Sequence, residues 1–103
     1  MKHASALALD ELEELLVALR RHEGLKEKSR GTFYRKSSAF LHFHEDPAGL
    51  FADVKLAGAE FERFRVSTAK ERAALLAKVA RALAASGPGA ARSARSPGTR
   101  RGA

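Results

Sequence analysis

Residues 39–56 read Ala-Phe-Leu-His-Phe-His-Glu-Asp-Pro-Ala-Gly-Leu-Phe-Ala-Asp-Val-Lys-Leu, and the fold turns on them. Asp46-Pro47-Ala48-Gly49 is a turn: Asp opens it, Pro pre-sets the second position and Gly closes it. Side chains on both flanks alternate with period two. Leu50, Ala52, Val54 and Leu56 are all apolar and belong to a core, which sends Phe51, Asp53 and Lys55 to the other face. In Ala39 to Glu45, Leu41 and Phe43 make the better core pair, which sends Phe40, His42 and His44 outward. Two strands joined by so short a turn are antiparallel.

The pattern extends in both directions. Downstream, Ala57-Gly58-Ala59 turns the chain into a strand from Glu60 to Val66, with Phe64 and Val66 inward and Phe61, Arg63 and Arg65 outward. Upstream, Thr32 to Lys36 is rich in β formers and is joined to the next strand through a weak turn at Ser37-Ser38. There the inward set is either Phe33 with Arg35 or Tyr34 with Lys36. Leu25 to Arg30 adds a fifth strand at the edge if it is extended.

Helices flank this sheet. Leu12, Leu15, Leu16 and Leu19 form one apolar stripe, with Asp10 and Glu13 spaced as a capping pair and Gly24 as a stop. The start is Asp10, or Ser5 if the helix is longer. At the other end Thr68 and Glu71 make a Thr-x-x-Glu capping box ahead of Leu75, Leu76, Val79 and Leu83, and Gly87-Pro88 stops the helix. The expected fold is α+β: an N-terminal helix, an antiparallel meander of four or five strands, and a C-terminal helix. Both helices lie on one sheet face and the other face is open.

Length and charge bound the function. The chain has 103 residues, and Gly87 to Ala103 contains no Leu, Ile, Val or aromatic residue. The expectation is one domain over residues 1–86 and a disordered basic tail over 87–103. Large catalytic architectures are excluded by size. Net charge is +7, but four of the 19 basic residues fall in the tail and all 12 acidic ones precede it, so the domain carries +3 and the tail +4. Nucleic-acid binding through that tail would be weak, salt-dependent and non-specific. With no Cys, disulfides and thiolate chemistry are out, and a cytoplasmic location fits. No apolar run spans a membrane or forms a signal core.

The open face gathers Phe40, His42, His44, Phe51, Asp53, Lys55, Phe61, Arg63 and Arg65. Three exposed phenylalanines suggest an interaction surface, and a homodimer through it is expected. His42 and His44, two apart on one side of a strand, suit two ligands of one metal, with Glu45, Asp46 or Asp53 as a carboxylate. The competing reading is a pair of strand histidines hydrogen-bonded across the sheet, and no cofactor is expected on that reading. Lys26, Lys28, Arg30, Arg35 and Lys36 cluster around Phe33 and Tyr34, as nucleic-acid surfaces combine charge with rings. The competing reading is a charged edge that blocks aggregation. Ser29, Ser37, Ser38 and Ser67 lie in no nucleophile elbow, and no catalytic residue is assigned. A non-enzymatic binding module is the leading reading, and a small metal-dependent or hydrolytic enzyme using His42 and His44 is the alternative.

Three resemblances accompany this reading. His42-Phe43-His44 with Asp46 is similar to the opening of the metallo-β-lactamase His-x-His-x-Asp-His motif, but Pro47 stands where the last His belongs. The element order, with Gly31-Thr32-Phe33-Tyr34-Arg35-Lys36-Ser37-Ser38-Ala39-Phe40, resembles the YjbR/MmcQ proteins, which implies a frataxin-like fold and DNA binding. Leu41-His42-Phe43-His44 with Ala52-Asp53-Val54 resembles bacterial luciferase-domain proteins, without their later His and Ser-Gly-Trp segments. None of the three implies a substrate.

Overall fold

The computed structural model describes residues 1–85 of the chain. The expected boundary at residue 86 and the basic tail lie outside the described residues. The elements in order are β1 (Lys2–His3), α1 (Ala6–Glu11), α2 (Glu13–Arg20), β2 (Lys26–Ser29), β3 (Thr32–Arg35), β4 (Ser38–Asp46), β5 (Gly49–Val54), β6 (Glu62–Arg65) and α3 (Ala69–Ala85). The fold is α+β, with one antiparallel sheet in the order β2-β3-β4-β5-β6 and β1 added against β4. No helix among the described residues is long and apolar enough to cross a membrane.

The N-terminal helix begins earlier than the capping pair suggests. Ser5 is the cap: its hydroxyl accepts the Ala8 N–H at 3.3 Å. Asp10 lies inside α1 and binds Arg30 at 2.8 Å instead. Leu12 separates α1 from α2 with φ −94° and ψ 8°, and its N–H is shared between the Ala8 and Leu9 carbonyls. At α3 the capping box forms as its spacing predicts. The Glu71 N–H reaches Thr68 Oγ1 at 3.1 Å, and Glu71 Oε1 accepts the Thr68 N–H at 3.0 Å.

One core joins both layers. Leu12, Leu15, Leu16, Leu19, Leu75 and Val79 from the helices cluster with Phe33, Leu41, Phe43, Ala52 and Val54 from the sheet. All helices therefore pack on one sheet face. Phe33, not Tyr34, is the inward residue of β3.

Phe40 departs from the expected alternation. Phe33 pairs with Leu41 but Tyr34 pairs with Ala39, so one step on β3 matches two on β4. Phe40 is the extra residue of a β-bulge, which re-aims a side chain locally. It is 3% exposed and lies in the core beside Leu41, not on the open face. The Lys55 N–H donates to its carbonyl at 2.9 Å, so the bulged peptide is not left unpaired. The hairpin turn before it sits one residue earlier than expected, at Lys36 and Ser37, both in the left-handed region with φ of 52° and 70°.

At the opposite hairpin Gly49 has φ +140°, and a Cβ there would collide with Ser67 Oγ. That hydroxyl accepts the Leu50 N–H at 2.8 Å and ties β5 to the start of α3. Gly49→Ala should lower unfolding stability by about 1–3 kcal/mol. Urea denaturation checks this, and an unchanged midpoint would contradict it.

Candidate metal centre on the open sheet face

The sheet register builds the open face in rows. One row runs His42, Asp53, Arg63 across β4, β5 and β6. The next runs His3, His44, Phe51, Arg65 and starts on β1. Antiparallel partners share a face, so these side chains are cross-strand neighbours. β4 is long enough to pair with β3 through its first half and with β1 near its end, and this places His3 beside the two strand histidines.

Three imidazoles converge there. The His3 and His44 rings stack with centroids 5.0 Å apart, and His42 meets His44 edge-on at 4.7 Å. One ligand nitrogen from each of His3, His42 and His44 lies within 4.8 Å of the others. His3 is exposed, while His42 and His44 are half-buried. His42 Nδ1 and both ring nitrogens of His44 are shielded from solvent and have no hydrogen-bond partner among the described residues. Leaving such a group unsatisfied costs about 1–3 kcal/mol.

Asp53 supports the cluster from behind. It is buried at 7% exposure and takes two hydrogen bonds from Arg63, Nε to Oδ1 at 2.7 Å and Nη2 to Oδ2 at 2.8 Å. The Arg63 hydrogen bonds hold its carboxyl below the ordinary range, against the opposing effect of burial. His44 Nε2 stands 3.2 Å from Asp53 Oδ2, within ion-pair reach although the two do not meet hydrogen-bond geometry. Burial and the neighbouring His44 push the His42 imidazole down from its ordinary value. His42 is thus biased to the neutral form, the form that ligates a metal.

The aromatic wall is smaller than the sequence pattern predicts. Phe61 precedes β6 and is 40% exposed; its ring meets His42 edge-on at 4.8 Å and carries Lys55 Nζ 4.9 Å above it. Phe51 is half-buried opposite His44, and Phe40 is in the core. Arg65 turns its guanidinium to Glu71 at 3.0 Å.

The basic cluster divides. Lys26 pairs with Tyr34, and Lys28 Nζ sits 4.8 Å over the Tyr34 ring. Arg30 does not join them: it binds Asp10 and Glu13 at 2.8 and 2.9 Å, on the helical side. Arg35 ends β3 and Lys36 is exposed in the turn. Periodicity misses His3, because a two-residue strand has no period to read. The available signal is that His42-x-His44 lacks a third imidazole and His3 is one of only two others in the chain. Comparison with protein-family models, curated proteins and solved structures finds no match to this chain.

Proposed function

We propose that the chain is a binding module that holds a divalent transition-metal cation, zinc in the first instance, through His3, His42 and His44. The observation that carries this is the convergence of three imidazoles, two of which, His42 and His44, have shielded ring nitrogens with no hydrogen-bond partner among the described residues. Imidazole suits zinc, copper and nickel. Zinc–nitrogen bonds of about 2.0–2.1 Å put tetrahedral ligand atoms roughly 3.3 Å apart, so nitrogens within 4.8 Å need small side-chain rotations to close on an ion. Asp53 behind His44 supports the reading, because metal-bound histidines commonly give their second nitrogen to a carboxylate.

The test is a zinc titration of untagged protein at neutral pH, in competition with a chromophoric chelator. One zinc per chain is expected. His42→Ala and His44→Ala should each weaken binding by at least about 100-fold, since even loss of a supporting partner costs 10–100-fold. Absence of stoichiometric zinc, or equal binding by the folded variants, would overturn the proposal.

Partner readings of this face have less behind them. A second copy of the chain would cover Phe51 and Phe61, but Phe40 is withdrawn into the core and Phe61 is already packed against His42. DNA or RNA would find Lys26, Lys28 and Tyr34 together at one end of the sheet, without Arg30. The enzymatic reading shares the metal centre and depends on what takes the ion's remaining position.

A further inference from the structure

Three imidazoles are neutral donors, so a zinc ion held by them keeps its full double charge. Being four-coordinate, it also keeps one position for another ligand. We infer that this position takes a small phosphate-type oxyanion, received jointly by the ion, Lys55 and Arg63; the inference rests on the cation reading above.

The cations stand at the His42 end of the cluster. Arg63 uses Nε and Nη2 on Asp53, which fixes the guanidinium plane and leaves Nη1 without a partner among the described residues. The Arg63 side chain is about half exposed. A pinned guanidinium presents its remaining donors to an oxyanion at little entropic cost. Lys55 is steadied by the Phe61 ring at 4.9 Å, and Phe61 itself touches His42 at 4.8 Å. The acids are placed differently. Asp53 is paired with Arg63, and Asp46, at the end of β4 beyond His44, adds its charge at Arg63 without a hydrogen bond to it. An anion approaching from the His42 side meets the metal charge, the Lys55 ammonium and the remaining donors of Arg63, whose charge is shared with Asp53. A phosphate dianion matches that charge better than a carboxylate does.

Cobalt(II) in place of zinc makes the fourth position visible in absorption. Cobalt-loaded, untagged protein would be titrated with inorganic phosphate and, in parallel, with acetate. Phosphate should shift the cobalt bands saturably at one site per chain. Acetate should bind at least about tenfold more weakly, and Lys55→Ala should weaken phosphate by about tenfold, the scale of one charge-assisted contact, with cobalt affinity unchanged. Cobalt bands indifferent to phosphate, or a phosphate response as strong in Lys55→Ala as in the natural chain, would overturn this inference and leave the cation site intact. Failure to take up cobalt, zinc or nickel at all would remove the cation site itself and the oxyanion site with it.

Discussion

Phe33→Ala should come close to unfolding the domain. Phe33 is fully buried, lies between the sheet and the helices, and pairs with Leu41 next to the Phe40 bulge. Truncating a buried phenylalanine removes its transfer free energy and leaves a cavity, which together cost about 3–5 kcal/mol. A domain of some 85 described residues has a total stability near the low end of the usual range, about 5–15 kcal/mol. The loss is therefore most of what holds it together. The neighbouring layer offers little to fill the hole, because the bulge already commits both Phe40 and Leu41 to the core. Phe61→Ala is the matched control. That ring is 40% exposed, and its removal should change stability by less than about 1 kcal/mol. Urea denaturation of the two variants decides. Equal midpoints would mean that the core is not centred on Phe33.

The contrast between Phe33 and Phe40 also shows where the sequence could be read and where it could not. Alternation around Asp46-Pro47-Ala48-Gly49 fixes β4 against β5 because the inward set Leu50, Ala52 and Val54 has no acceptable alternative: a one-residue slip would bury Asp53 among the helices. The Thr68–Glu71 cap is equally legible, since its chemistry is local. Phe40 was not legible. Its placement depends on an inserted residue in β4, and a bulge shows only once the pairing with β3 is known. Asp10 against Ser5 is a similar case. Both are good caps, and the choice fell to a partner far along the chain, Arg30, which takes the Asp10 carboxylate. His3 was the largest omission, since β1 gains its structure entirely from β4 and the adjoining bonds. Ala4 N–H donates to the Phe43 carbonyl at 3.1 Å, and Lys2 lies 3.8 Å from Glu45. Two of the three imidazoles, with Asp53, Lys55, Phe61 and Arg63, were thus visible as a strand pattern, and His3 came from tertiary pairing alone.

Zinc should stabilise the fold at neutral pH and cease to do so in mild acid. A ligand that binds only the folded state adds about 2.7 kcal/mol when present at about 100 times its dissociation constant. For a domain of this size that is a rise in Tm of roughly 10–20 °C. All three imidazoles must be neutral to ligate, so protons compete, and the increment should vanish between about pH 6.5 and pH 5. The metal-free protein has its own pH dependence in the same direction, and the signs must be separated. The His42 imidazole is held below its ordinary value of 6.5, so above that pH both states are neutral and nothing is lost. As pH falls through 6.5 the unfolded chain takes the proton first, and stability declines until the folded value is passed. Asp53 acts lower. Its carboxyl is held below 3.8, so the stability of its pair with Arg63 is whole above that pH and is lost as acid titrates the folded value. The quantity to measure is accordingly the difference in Tm with and without zinc, followed from pH 7.5 to pH 5. A large difference at the upper pH that closes by the lower one, and that is absent in His42→Ala and His44→Ala, is the expected result. A zinc effect of equal size at both ends of the range, or one that survives both substitutions, would place the ion somewhere other than on these three histidines.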